Sequence, residues 1–193
     1  DTALPMKGYL PCLVHEDLKL FLANPACIYL YRKGGKLKNE NPIVDWLRWE
    51  SVEFYPLLMT FLNNLCQTKK ADTTLQKELV SLIASRLESP LTKTKFLIGN
   101  DQKSAVDAVL FADLYPIFTD SRLTKDFFSS LPKTKQWMEG LLKDANVVKS
   151  LEQLEFGSGV ENCKSSILSA VLPPHNKGGK ASTMRAMMPA QRG

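Results

Sequence analysis

The stretch Ser104-Ala105-Val106-Asp107-Ala108-Val109-Leu110-Phe111-Ala112-Asp113-Leu114-Tyr115-Pro116-Ile117-Phe118 decides the fold. Its first four residues are a Ser-x-x-Asp capping box: the Ser104 hydroxyl can accept the Asp107 N–H while the Asp107 carboxylate reaches back to the Ser104 N–H and faces the positive helix end. A cap of this kind is worth about 1 kcal/mol on an exposed helix. More is at stake on a central one, whose end groups would otherwise be buried without partners. The helix behind the box, Ala105 to Phe118, is apolar nearly all round, with Ala108, Val109, Leu110, Phe111, Ala112, Leu114 and Tyr115, and so reads as the buried centre of an all-helical unit.

Outward from that helix the signals remain helical. Upstream, Phe96-Leu97-Ile98-Gly99 brings a short apolar segment into the core. Before it, Leu75, Leu79, Leu82 and Ile83 form the stripe of a helix from about Thr73 to Leu87, which Ser89-Pro90 should end. Asn41-Pro42 starts a long helix in which Ile43, Trp46, Leu47, Val52 and Tyr55 recur at helical spacing as far as Cys66, with a kink expected near Val52 because Pro56 removes a backbone donor. Downstream, amphipathic segments are expected over about Lys125 to Ser130, over Lys133 to Ala145 behind Pro132 with Trp137, Leu141 and Leu142 inward, and over Val147 to Leu154. At the beginning, Tyr9 to His15 and Leu18 to Leu22, separated by Glu16-Asp17, make a hairpin pattern. Asn24 as N-cap and Pro25 as first helical residue then open a helix to Lys33, closed by Gly34-Gly35.

The expected organisation is a hairpin-and-helix unit over 1–36, a helical domain over 41–156 and a basic linker or tail over 157–193. In that tail Ile167 to Leu172 could form a short docking helix, whereas Pro173 to Gly193 is rich in Pro, Gly, Ser, Lys and Arg. The formal charge of +5 sits mostly there: Lys164, Lys177, Lys180, Arg185 and Arg192 against Glu161 give +4, leaving +1 for residues 1–157. A weak tRNA contact through the tail is therefore the place for any nucleic-acid binding, not the folded body. No apolar run reaches the about 18 residues a membrane span needs, and Asp1 to Leu10 has no leader pattern, so a cytoplasmic protein is expected. Cys12, Cys27, Cys66 and Cys163 form no CxxC pair and read as reduced, mostly packed thiols.

In this order the signals resemble the glutathione-transferase fold: a Leu-Pro segment opening a hairpin, a capped helix, then a helical domain with a Ser/Thr-x-x-Asp box in its central helix. Trp46-Leu47-Arg48-Trp49-Glu50 is similar to the Trp-Leu-x-Trp-Glu stretch at the head of the helical domain in the N-terminal appendage of animal methionyl-tRNA synthetases. Phe96 to Asn100 and Asp107 to Pro116 resemble that appendage too, and the match runs from about Leu10 to Leu154. The resemblance implies a mainly α, glutathione-transferase-like chain: an all-helical C-terminal domain behind a reduced or truncated thioredoxin-like part of hairpin plus helix. Related appendages occur on glutamyl-prolyl, cysteinyl and valyl synthetases, on an elongation-factor gamma subunit and on auxiliary proteins of the multisynthetase complex.

The departures from the transferase pattern imply loss of catalysis. A transferase has a strand bearing a thiol-activating Tyr, Ser or Cys ahead of the hairpin, whereas about ten residues precede Pro11 here; whether Asp1 is a natural start is left open. Where a transferase places Glu/Gln-Ser to grip the gamma-glutamyl end, this chain has Ala23 and Asn24. Pro11 aligns with the family's cis-proline. No catalytic, cofactor-binding or metal residue is assigned: His15, Glu16 and Asp17 point in different directions, Cys12 reads as a packed strand thiol, and Trp46 and Trp49 read as packing residues, one inward and one at an edge. Ser104 and Asp107 are structural. In the superfamily the helix after the hairpin and the first long helix form dimers, here about Pro25 to Arg32 and Pro42 to Leu65. Arg48, Ser51 and Tyr55 are then the candidate contacts, on the face away from Trp46 and Leu47. The implied function is a non-catalytic domain that pairs with another transferase-like domain, or with its own copy, in synthetase-complex assembly. A degenerate transferase and an accessory tRNA-binding module are the competing readings.

Overall fold

The computed structural model describes residues 12–35, 41–68, 70–99, 102–120 and 123–153. The tail expected beyond Gln153, together with Cys163, Pro11 and the first ten residues, lies outside them. Strands β1 (Cys12–His15) and β2 (Leu18–Phe21) pair antiparallel, Cys12 opposite Phe21 and His15 opposite Leu18. The two-residue turn between them places Glu16 at φ 54°, the left-handed conformation such tight hairpins demand. Helix α1 (Ala23–Lys33) follows and stops where Gly35 adopts φ 66°. Gly34 N–H bonds to Leu30 O and Gly35 N–H to Arg32 O, both at 2.9 Å.

The long second helix is two helices joined by a wide turn: α2 (Asn41–Trp49), a π-helical turn Glu50–Phe54, and α3 (Tyr55–Thr68). The Tyr55 N–H reaches five residues back to Glu50 O. The cause is Pro56, whose ring would collide with the Val52 carbonyl in a regular helix; the extra residue widens the turn ahead of it. The expected break near Val52 is therefore present. Val52 leaves the expected stripe for a simpler reason: at about 100° per residue it lies about 180° around the helix from Ile43. Phe54, Leu58, Phe61 and Leu62 continue the stripe begun by Ile43, Trp46 and Leu47, while Val52 and Tyr55 are exposed.

The same device recurs in the next hairpin arm. Helix α4 (Thr73–Ile83) is capped by Asp72, whose Oδ1 accepts from Thr74 N (2.8 Å) and Leu75 N (3.1 Å). It runs into a second π turn, Ala84–Glu88, and on into α5 (Ser89–Lys93). Ser89-Pro90 thus does not end the helix as expected, since the wide turn again accommodates the proline. Helix α6 (Ala105–Thr119) occupies the centre, packed against α1, α2 and α8 (Pro132–Leu142), with the single turn α7 (Thr124–Phe127) after it and α9 (Ala145–Gln153) last. The helix of α6 is buried on all but a narrow stripe: Ala108 and Ala112 are exposed, against the reading that placed them inward. One contiguous core joins α2 to α8, and Cys27, Ile28 and Tyr31 of α1 lie half-buried against it.

Candidate functional site

The capping box holds more than its own helix. Ser104 N and Ser104 Oγ donate to Asp107 Oδ2 at 2.9 and 2.7 Å, and the Asp107 N–H returns to Ser104 Oγ at 3.4 Å. The other carboxylate oxygen, Oδ1, accepts from Leu97 N (3.1 Å) and from Trp137 Nε1 (3.0 Å). Asp107 is 1% exposed, so one carboxylate fixes the α5–α6 loop, the start of α6 and the face of α8. The loop is also tied from outside, by the Tyr31 hydroxyl donating to Lys103 O. Burial, with the nearby Asp107 charge second, pushes the Tyr31 phenol up.

The junction of hairpin and α1 is where a transferase would grip its peptide ligand. Here Ala23 is exposed and Asn24 is not a cap. The helix starts at Ala23, two residues before the expected Pro25, behind Leu22 at φ 72°, with no side-chain cap. Pro25 fits because the first-turn N–H groups have no helical partner to lose. Asn24, now inside the first turn, turns its amide into the protein and donates to Leu47 O (3.2 Å) and Glu50 Oε2 (2.5 Å). The sequence reading of Asn24 as an N-cap is thereby corrected: its amide stitches α1 to the end of α2.

On the outer side of α2 and α3, Arg48, Ser51 and Tyr55 are all exposed. The structure brings them to one side together with Val44 and Val52, the latter 65% exposed. Val52, expected to share the helical spacing of Ile43, Trp46 and Leu47, is the most exposed large apolar side chain of the group. Ser51 Oγ donates back to Leu47 O (2.9 Å) and Arg48 O (3.1 Å), so any contact it makes is by packing. Beneath this face both tryptophans are buried, in place of one inward and one at an edge. Their rings meet edge to face at 5.8 Å, Trp49 stacks on Phe54 at 5.4 Å, and the Arg86 guanidinium lies 4.8 Å from the Trp46 ring centre while pairing with Asp45.

Two acids that the sequence reading passed over meet below Tyr55. Glu50 of the first π turn is 5% exposed and faces Asp113 of α6. Burial, then the Glu50 charge and a hydrogen bond to it, push the Asp113 carboxyl up to about 8. The signal available in the sequence was a second aspartate in a helix otherwise apolar nearly all round.

His15 meets a tyrosine and a lysine of α1. Its Nδ1 lies 2.8 Å from the Tyr29 hydroxyl and its Nε2 against the Lys33 ammonium. An ammonium only donates, so Nε2 accepts and the ring proton sits on Nδ1. Cys12, Cys27 and Cys66 are free thiols, and burial pushes the Cys27 thiol up, away from the thiolate a nucleophile requires. Among the described residues no three metal-ligating side chains converge, and no helix is long and apolar enough to cross a membrane. A groove of about 840 Å³ runs between the α5–α6 loop and α8, past Thr94, Lys95, Gln136, Gly140 and Lys143. It touches neither Ala23 nor Asn24.

No protein-family model matches the sequence, and no curated protein matches it. Among solved structures the chain is similar to a crystal structure of poplar glutathione transferase F1 carrying a serine-to-cysteine substitution, at 22% identity over 74% of this chain and 72% of that one, with a TM-score of 0.59. At that identity the likeness speaks for the fold alone. The two-stranded hairpin with its helix and the capped central helix amid a helical body account for it: the chain has a glutathione-transferase-like fold, mainly α, with a small thioredoxin-like N-terminal part.

Proposed function

We propose that this chain is a non-catalytic protein-interaction domain, an appendage of an aminoacyl-tRNA synthetase, best matched to the methionyl enzyme, that pairs with other transferase-like domains in a cytoplasmic multisynthetase assembly. The observation that carries the reading is the exposed face of α2 and α3, where Val44, Val52 and Tyr55 lie beside Arg48. Apolar side chains grouped with an aromatic and an arginine are the composition of a protein interface core. The non-catalytic part of the reading rests on Asn24, whose amide is consumed inside the protein at the position where a transferase would hold its peptide ligand. The identity of the parent enzyme rests on the Trp46-Leu47-Arg48-Trp49-Glu50 resemblance. A tRNA contact through the basic tail is a separate matter that the pairing face does not require.

The test is association of the purified domain with a second transferase-like domain of such an assembly, or with itself, followed by sedimentation. Arg48→Glu combined with Tyr55→Ala should weaken the complex by at least about a hundredfold, the loss of two interface anchors. Undiminished association would reject this face, and retention on immobilised glutathione with turnover of a chromogenic electrophile would reject the non-catalytic reading.

A further inference from the structure

A polar seam joins three elements that the sequence keeps far apart. From α1, Asn24 Nδ2 donates to Glu50 Oε2 and to Leu47 O; from the first π turn, Glu50 turns toward α6; from α6, Asp113 meets it. Among the described residues Asp113 Oδ2 is buried and receives no hydrogen bond. Two carboxylates that share a largely buried site cannot both carry charge without strong repulsion. One proton between them turns the repulsion into a charge-assisted hydrogen bond between Glu50 and Asp113. Among the described residues few groups face this seam. Asn24 from α1 is neutral, Glu50 supplies the charge acting on Asp113, and Tyr55 at the start of α3 is the remaining titratable neighbour. The Tyr55 phenol is pushed up by burial first and then by Asp113 and Glu50, so it stays protonated while the acids titrate.

We propose that Glu50 and Asp113 share a single proton as a latch fastening α1 to the helical body, and that surrender of this proton in mildly alkaline solution loosens α1 and with it that helix's part of the pairing face. Only the final clause rests on the pairing reading; the latch belongs to the isolated domain. The direction follows from proton counting. Asp113 holds its proton in the folded chain up to about pH 8 and releases it near the ordinary aspartate value of 3.8 when unfolded. Between those values the folded state carries one proton more, so stability is greatest on the acid side and falls as pH rises, levelling off once Asp113 has ionised.

Urea unfolding of the whole domain at pH steps from 5 to 9 reads the latch. The wild-type folding equilibrium should fall by about tenfold per pH unit up to about pH 8 and level off above it, the signature of one proton released. Asp113→Asn, whose amide can donate to Glu50 without ionising, should lack that slope. An unchanged slope in Asp113→Asn, or none in the wild type relative to Asp113→Asn, overturns the proposal. If that variant does not fold, the carboxyl 13C signal of Asp113 in the wild type decides: a midpoint near neutrality or above supports the latch, and one in the ordinary aspartate range refutes it. Sedimentation of wild type with its partner domain at pH 6.5 and 8.5 separates the two readings. Weaker association at 8.5 supports the coupling, equal association at both overturns it, and no association at either rejects the pairing face while the unfolding slope still judges the latch.

Discussion

Replacing Asp107 by alanine removes the acceptor for Leu97 N, Ser104 N, Ser104 Oγ and Trp137 Nε1 in one step. Three of these are N–H groups that cannot turn to another acceptor, and with Asp107 1% exposed and Ser104 5% exposed, water does not reach them freely. A buried donor left unpaired costs about 1–3 kcal/mol, so the three together destabilise the fold by about 3–9 kcal/mol. That is comparable with the about 5–15 kcal/mol by which a domain is stable, and Asp107→Ala should be largely unfolded or molten at 37 °C. Asp107→Asn provides the graded control. Its Oδ1 keeps Leu97 and Trp137, while its amide nitrogen now faces the Ser104 N–H, for a loss of about 2 kcal/mol. Ser104→Ala removes the cap alone, at about 1 kcal/mol. Urea denaturation followed by tryptophan fluorescence and far-ultraviolet circular dichroism measures all three. An Asp107→Ala variant within about 1 kcal/mol of wild type would refute the claim that this carboxylate holds loop, helix and Trp137 together.

Other perturbations address neighbouring contacts. Arg86→Ala removes a guanidinium from above two tryptophan rings and from Asp45, and should cost about 1–2 kcal/mol with a change in tryptophan emission; emission and stability both unchanged would mean the stacking is incidental. Tyr31→Phe deletes the hydroxyl that donates to Lys103 O across the α1–α6 junction, and should lower stability by about 1 kcal/mol and speed amide exchange in α1; unchanged exchange would show that α1 is held elsewhere.

The likeness of fold was legible because its signals are local. A Ser and an Asp three residues apart announce a helix start, an apolar run behind them announces a buried helix, and Gly34-Gly35 announces a stop. Each needs only neighbours along the chain. The pairing face was half legible. Arg48, Ser51 and Tyr55 are exposed as expected; Val52 is exposed too, since nine residues of about 100° each place it opposite Ile43 and off its stripe. What the spacing does not announce is the π turn that accommodates Pro56 without ending the helix. Pro90 shows the same accommodation: expected as a terminator, it sits inside a continuing helix.

By itself, then, the sequence determined the order of the elements, the capped central helix and the hairpin ahead of it, since these depend on backbone preferences and near neighbours. Only the tertiary structure decided what the polar side chains do. Glu88 caps α8 from 46 residues away, accepting Thr134 N at 2.7 Å, a partnership no spacing rule encodes. Asn24 became a stitch and not a cap, and Glu50 met Asp113, because α1, α2 and α6 converge at one place. The role of a hydrogen-bonding group is set by what lies across from it in space, and burial multiplies the consequence by removing the water that would otherwise answer for every partner alike.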